Sequence, residues 1–270
     1  MTLHRGFISA ILLLLLLLAA AVGTSAAAHR PSMPVCEDAN EWPPYTHYRR
    51  TSGQRSDQVT GFSVELLRLI AQRRGFSVQV HMLPWKRCVE AVRSGEMLGF
   101  LNAIRTPDRD RDFWVSPEIY ETRLILLGLR SRFPQGLDLP GQDALKPLRV
   151  GGLHGYSYSQ LDAIAPETLV RAPNYPSMLK MLRNDRVDVV LINEGVLQGL
   201  LTLEQLPPDW DHGLVHGTLA DRQPSRFHMM FSRKHPDGER LHAWVSAELP
   251  LLERSGELAK LREQWLRGLR

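Results

Sequence analysis

Residues 61–82, GFSVELLRLIAQRRGFSVQVHM, predict a helix that is followed directly by a strand. Apolar side chains recur at the spacing of an amphipathic helix, at Phe62, Leu66, Leu69 and Ile70. Gly75 occupies the position at which helices commonly end, so the helix is predicted over 62–74. From Phe76 to Met82 every second residue is apolar, a pattern typical of a β-strand.

The same alternation of helix and strand continues along the chain. Further helices are predicted over 85–93, from Thr106-Pro107 onward, and over 176–183, 194–202 and 237–269, the last with a kink or break at Pro250. Further strands are predicted over 97–101, 148–153, 187–192 and 227–231. Alternation of this kind implies parallel βαβ units, here in two clusters. The sequence therefore predicts a two-lobed α/β protein with its ligand cleft beyond the carboxyl ends of the strands.

The 270-residue chain has the composition of an ordinary globular protein, with 43% hydrophobic and 23% charged residues. This apolar fraction is too high for a disordered chain, and the length suggests one to two domains. The formal net charge is only +4, and no block of Lys and Arg with interleaved aromatic residues stands out. Nucleic acid is therefore not an expected partner.

The first 28 residues predict a secretory signal peptide. Arg5 precedes an almost unbroken run of Leu and Ala over 7–22, and Ala26 and Ala28 fit an A-x-A cleavage signal. A membrane anchor is the alternative, because the apolar run approaches the roughly 17 residues that span a bilayer. We expect an exported, periplasmic protein.

Export determines the expected oxidation state of the two cysteines, Cys36 and Cys88. In an oxidising compartment an even pair usually forms a disulfide. Two free thiols, or one catalytic thiol, are the competing interpretations.

The sequence patterns of common catalytic, metal and nucleotide sites, such as HExxH, GxSxG, the P-loop and GxGxxG, are absent from the chain. We therefore expect no metal, no cofactor and no catalytic residue. Glu37, Asp38, Glu41 and Glu194 are the carboxylates near motif ends that an enzyme on this scaffold would use.

Two segments carry candidate binding residues. In Trp42-Pro-Pro-Tyr45 the two prolines stiffen the backbone, so the aromatic rings form either a preorganised ligand wall or a plug of the core. In Thr106-Pro-Asp-Arg109, Thr caps a helix and Pro fits its first position. Arg109 then presents a fork of donors that suits a carboxylate, or else joins the neighbouring aspartates in an exposed salt-bridge cluster.

Five motifs occur in a characteristic order: Trp42-Pro-Pro-Tyr45, Gly61-Phe-Ser-Val-Glu65, Leu83-Pro-Trp-Lys-Arg87, Thr106-Pro-Asp-Arg109 and Arg186-Val-Asp-Val-Val190. In that order and spacing the chain resembles the periplasmic solute-binding proteins of the polar amino-acid type, bacterial family 3. The resemblance implies a type II periplasmic binding fold, in which two lobes with mostly parallel sheets flanked by helices close on a small solute. One lobe would contain 29–121 and 226–270, and the other 122–225.

The resemblance also implies a set of site residues. Arg109 would clamp the ligand carboxylate, Tyr45 and Trp85 would sandwich its side chain together with Trp42, and Asn102 would lie beside the ammonium group. Tyr156 and Ser157, in the turn that begins at Gly155, would add donors. The fold places Cys36 and Cys88 at ends that a disulfide can join.

One residue departs from the family pattern. Relatives hold the ligand's ammonium group with an acid after the Arg-Val-Asp strand, where this chain has Asn193. A neutral amide gives no charge pairing, so the expected solute either lacks a free α-amino group or is not an amino acid. Tyr156 also replaces a small hydroxyl residue, which narrows the pocket.

The main hypothesis is a monomeric, non-enzymatic binding protein that captures a small carboxylate-bearing solute for an inner-membrane ABC permease. The first alternative is an enzyme on the same fold, similar to a cyclohexadienyl dehydratase or a lytic transglycosylase. The second alternative is a module that reports its ligand to a membrane receptor.

Overall fold

The computed structural model describes residues 32–158 and 161–267, and the following account concerns those residues. The predicted signal peptide, residues 1–28, lies outside them. Among the described residues, no helix is both long enough and apolar enough to cross a membrane.

The first half of the chain alternates strands and helices as the sequence predicts. Its elements are β1 (Ser32–Asp38), β2 (His47–Thr51), β3 (Gln54–Thr60), α1 (Phe62–Arg73), β4 (Ser77–Leu83), α2 (Trp85–Ser94), β5 (Gly99–Ile104), α3 (Pro107–Asp112) and β6 (Phe113–Thr122). The sequence reading did not include the β2–β3 hairpin, whose residues are mostly polar and exposed.

The second half contains β7 (Leu124–Leu129), β8 (Val150–Leu153), β9 (Val170–Ala172), α4 (Tyr175–Arg183), β10 (Val189–Asn193), α5 (Glu194–Thr202), β11 (Leu214–Gly217), β12 (Ser225–Ser232), α6 (Gly238–Arg254) and α7 (Glu257–Leu266). Helix α6 runs through Pro250, so the break predicted at that proline is wrong. The interruption lies at Ser255–Gly256 instead, where Gly256 adopts the left-handed conformation with φ 75° that glycine tolerates best.

Two five-stranded sheets organise these elements. The first has the order β4-β1-β5-β12-β6 and the second the order β11-β7-β10-β8-β9. The neighbours β4-β1-β5 and β10-β8-β9 are parallel, as the βαβ pattern predicts, whereas β12, β6, β7 and β11 form antiparallel pairs. The sheets are therefore mixed, with parallel strands where the helical crossovers occur.

The chain passes between the two sheets twice. It leaves the first sheet after Thr122 and enters the second at Leu124, and it returns between Gly217 and Ser225. These two passages are close to 121/122 and 225/226, where the sequence prediction divides the lobes.

Helix α1 shows how the decisive segment folds. Its apolar stripe is buried in the hydrophobic core, at Phe62, Leu66, Leu67 and Ile70. The helix ends at Arg73, and Gly75 has φ 78°, which lets the chain turn into β4. The predicted helix and strand are therefore confirmed, each with bounds one residue different from those expected.

A disulfide joins Cys36 on β1 to Cys88 on α2, with 5.6 Å between the Cα atoms. Both residues are fully buried. The bridge fastens the end of β1 to the first turn of α2, which confirms the predicted pair.

Replacing both cysteines by alanine is expected to lower the free energy of unfolding by about 4 kcal/mol, because the bridge closes a long loop in the unfolded chain. The bridged residues are 52 apart in sequence. Urea denaturation of the oxidised wild type and the C36A/C88A variant measures the difference. Equal unfolding free energies would show that the bridge does not stabilise the fold.

Candidate functional site

A cavity of about 70 Å³ lies between the carboxyl ends of strands from both sheets. Strands β1 and β5 of the first sheet and β8 and β10 of the second contribute to its wall. A water molecule needs about 10–15 Å³ on the same scale, so the space suits a small solute. The position is the one expected for ligands of α/β sheets.

Seven of the eight residues predicted from the sequence line this cavity, namely Trp42, Trp85, Asn102, Arg109, Tyr156, Ser157 and Asn193. They come from both sheets and from the segments between their strands. The eighth residue, Tyr45, lies elsewhere.

Arg109 is held at the cavity by its local structure. The Thr106 hydroxyl caps α3 by accepting a hydrogen bond from the Arg109 amide at 3.2 Å, and Pro107 begins the helix, as predicted. The guanidinium Nη1 donates to the carbonyl of Ile104 at 2.8 Å, and the guanidinium carbon is 5.8 Å from the ring centre of Trp85. Burial, together with the charge of Arg93, lowers the Arg109 pKa to about 10, so the group remains a cation at neutral pH.

The acids around Arg109 pair with other arginines. Asp108 binds Arg111 at 2.7 Å, Asp110 binds Arg105 at 3.0 Å, and Asp112 binds Arg93 at 2.9 Å. The salt-bridge cluster that the sequence offered as an alternative role for Arg109 therefore exists, but Arg109 is not part of it. Within residues 32–158 and 161–267, no carboxylate forms an ion pair with the Arg109 guanidinium.

Trp42 and Trp85 form aromatic walls of the cavity. The Trp42 Nε1 donates to the Tyr120 hydroxyl at 3.0 Å, and its ring centre is 5.5 Å from that of Tyr156. Trp85 meets Phe100 edge to face at 5.3 Å. These contacts fix both indole rings before a ligand arrives, which lowers the entropy cost of binding.

The structure corrects the expectation for Tyr45. Its ring stacks on Tyr120 at 3.7 Å, and the residue is only 1% exposed. Its hydroxyl lies so close to α5 that a Cβ atom on Gly195 would be 2.4 Å away. Of the two alternatives for this segment, packing in the core applies to Tyr45. Its ring does not line the cavity.

Asn102 lines the cavity, but its side-chain acceptor is already occupied. Its Oδ1 accepts from the Ser63 hydroxyl at 2.6 Å and from the Tyr120 hydroxyl at 3.0 Å, while its Nδ2 donates to Thr46 at 2.8 Å. An amide oxygen has two lone pairs, so Oδ1 has none left for a ligand ammonium. These bonds brace Asn102 within the first sheet, and a role of Asn102 in solute binding stays a prediction.

Two acids lie in the cavity wall that the sequence prediction considered only for catalysis. Glu37 is fully buried, and its Oε1 accepts from the amides of Leu101 and Asn102. Burial raises the Glu37 pKa to about 7 and also raises the pKa of the adjacent Asp38. The two consecutive acids at the end of β1 were the sequence feature that could have indicated a binding role. The sequence alone does not show that these two side chains face a cavity.

Two buried polar atoms of the cavity residues make no hydrogen bond within the described part of the chain. They are Oδ2 of Asp38 and the hydroxyl of Tyr156. Buried polar groups are normally paired, and these two lie close enough that each shifts the pKa of the other, so a solute that reaches them meets both groups together. The other two candidate acids do not line the cavity. Glu41 pairs with Arg50 at 2.8 Å and Glu194 pairs with Arg123 at 2.9 Å.

The raised pKa of Glu37 predicts a pH-dependent stability. Between the usual pKa of 4.5 and the folded value of about 7, only the unfolded state ionises this group, so stability falls as pH rises. Across pH 4 to 8, Glu37→Gln is expected to become more stable relative to wild type by about 3 kcal/mol. Chemical denaturation at several pH values measures this trend. A difference that is constant with pH would contradict it.

Comparison with known proteins identifies the family. Residues 35–268 match the model of the bacterial extracellular solute-binding proteins, family 3. The chain is 21% identical over 231 residues to the arginine-binding extracellular protein ArtP of Bacillus subtilis (strain 168), a match that covers 82% of this chain and 83% of ArtP. It is 26% identical over 145 residues to a probable histidine-binding protein of Neisseria gonorrhoeae, covering 52% of each.

Solved structures share the fold. The amino acid ABC transporter substrate-binding protein AbpA of Streptococcus pneumoniae, bound to L-arginine, matches with a TM-score of 0.69 and 21% identity over 86% of this chain and 93% of AbpA. An ABC uptake transporter substrate-binding protein of the same organism, with bound histidine, matches with a TM-score of 0.70 and 15% identity over 88% and 93%. The chain has the type II periplasmic binding fold and belongs to the bacterial extracellular solute-binding proteins, family 3.

Proposed function

We propose that this protein captures a small carboxylate-bearing solute, an amino acid or a related compound, and delivers it to an ABC permease. Family membership supports solute binding, and the arginine- and histidine-binding relatives support this class of solute. The observation that carries the proposal is Arg109, a guanidinium at the cavity with no carboxylate partner in the described residues.

The carboxylate of the solute binds Arg109. A partly buried cation without a counterion is costly, and a carboxylate removes that cost through charge-assisted hydrogen bonds. The rings of Trp42 and Trp85 stack against the body of the solute, and the polar groups of Tyr156, Ser157 and Asn193 add directional hydrogen bonds.

The solute also carries a positively charged group. The neutral Asn193 led to the expectation of a solute without a free α-amino group, but Asp38 supplies a carboxylate from the opposite sheet. Its Oδ2 and the Tyr156 hydroxyl both belong to cavity-lining residues and accept hydrogen bonds from an ammonium group. We therefore revise the proposed solute to one with both charges.

Binding closes two lobes, 29–121 with 226–270 and 122–225, around the solute. The segments that follow β1 and β9 meet directly, since the Asn40 side chain Nδ2 donates to the backbone carbonyl of Pro173 at 2.8 Å. Each lobe provides part of the binding shell, so the closed arrangement is the one that completes it.

The proposal also covers the location of the protein, its oligomeric state and the absence of catalysis. The predicted signal peptide, 1–28, directs the chain to the periplasm, where it acts as a monomer and does not bind nucleic acid. It binds its solute without converting it, whether the closed form feeds a permease or reports to a receptor. One neighbour in fold, AncCDT-1, is an ancestral amino acid-binding protein and a precursor of cyclohexadienyl dehydratase, with a TM-score of 0.66. Mass spectrometry of solute recovered after incubation tests the absence of conversion.

Arg109→Ala is expected to weaken binding of L-arginine or L-histidine by several kcal/mol, about 2–5, without unfolding the protein, because the carboxylate loses its partly buried cation partner. Isothermal titration calorimetry measures the affinity, and circular dichroism checks the fold.

The matched control is Arg111→Ala, two residues along the same helix, because Arg111 is exposed and pairs with Asp108. This variant should bind like wild type. If Arg109→Ala binds with unchanged affinity, or if wild type binds neither amino acid, the proposed function fails.

A further inference from the structure

Three charged groups line the cavity, the guanidinium of Arg109 and the carboxyl groups of Glu37 and Asp38. A solute with one carboxylate and one ammonium group balances Arg109 and Asp38. Such a pairing leaves the Glu37 carboxylate without a positive charge to balance it. The role of Glu37 therefore needs a separate explanation.

Glu37 is built into the wall rather than placed there by a flexible chain. It lies on β1 beside β5, and its Oε1 receives the amides of both Leu101 and Asn102. These two donors fix the carboxyl group whether or not it carries a proton. Cys36, the preceding residue, is bonded to Cys88, which further restrains this end of β1.

Among the residues that the structure describes, no cation forms an ion pair with Glu37. Asp38 on the same strand adds a negative charge, and Tyr120 on β6 is a neutral phenol whose pKa burial raises well above its usual value. Across the cavity stand Arg109 and three more phenols, Tyr156, Tyr158 and Tyr175, whose pKa values burial also raises. Glu37 therefore lies in the cavity wall with its carboxyl group held by two amides and with its pKa raised to about 7.

We propose that Glu37 determines the net charge of the solute that this cavity accepts. When ionised, it neutralises a second cationic group of the solute, and when protonated, it admits a solute whose side chain is uncharged. The inference rests on the proposed function, because the solute must occupy this cavity. It adds that, below the Glu37 pKa, a solute of net charge +1 binds with release of a proton from Glu37, whereas a zwitterion of net charge zero does not.

The test compares L-arginine with L-citrulline, which has nearly the same shape but an uncharged ureido group. Calorimetric titration from pH 5 to pH 8 is expected to show tighter L-arginine binding as pH rises, by up to about tenfold per pH unit below the Glu37 pKa, and a plateau above it. L-citrulline is expected to bind with constant or falling affinity over the same range. Repeating the L-arginine titration in buffers of different ionisation enthalpy counts the released proton.

Glu37→Gln keeps an oxygen that accepts the two amides but cannot ionise, so its L-arginine affinity is expected to be weaker at pH 8 and independent of pH. Glu194→Gln, at an acid that pairs with Arg123 outside the cavity, should keep the wild-type profile. A wild-type L-arginine affinity that is constant with pH, or a pH dependence that survives in Glu37→Gln, overturns the inference while the proposed function stands. Failure of wild type to bind either amino acid overturns both.

Discussion

The proposed binding site depends on one constraint, the presence of a guanidinium at the cavity without a carboxylate partner in the described chain. The Ile104 carbonyl and the Trp85 ring position Arg109, and a capped helix start fixes its backbone. The three aspartates nearby pair with Arg93, Arg105 and Arg111 and so do not neutralise it. The protein thus keeps a positive charge available where the two sheets meet, and a solute anion is its natural counterion.

The opposite charge in the cavity comes from the end of β1. Glu37 and Asp38 lie in a wall that burial makes poorly hydrated, which raises the pKa of each. The disulfide and two backbone amides hold this strand end against α2 and β5. Positive and negative groups therefore face one small space from rigid elements, which is the arrangement that recognises a charged solute with little reorganisation.

Local patterns in the sequence predicted most of the fold and the position of Arg109, because a capping Thr and a Pro at the first helical position act over four residues. Long-range packing was not predictable in the same way. Tyr45 stacks on Tyr120, and Asn102 bonds to Thr46, Ser63 and Tyr120, all distant in sequence. The sequence pattern around an acid at a strand end, such as Glu37, is the same whether its side chain faces solvent or a cavity. Pro250 fits within α6, whereas Gly256 ends that helix through its own conformation.

The central claim is that a solute carboxylate meets Arg109 between the two sheets. A crystal structure of the complex with L-arginine tests it most directly. The account predicts carboxylate oxygens about 2.7–2.9 Å from the guanidinium nitrogens, with the solute against the Trp85 ring. A carboxylate bound elsewhere, with the Arg109 side chain turned to solvent, would contradict it.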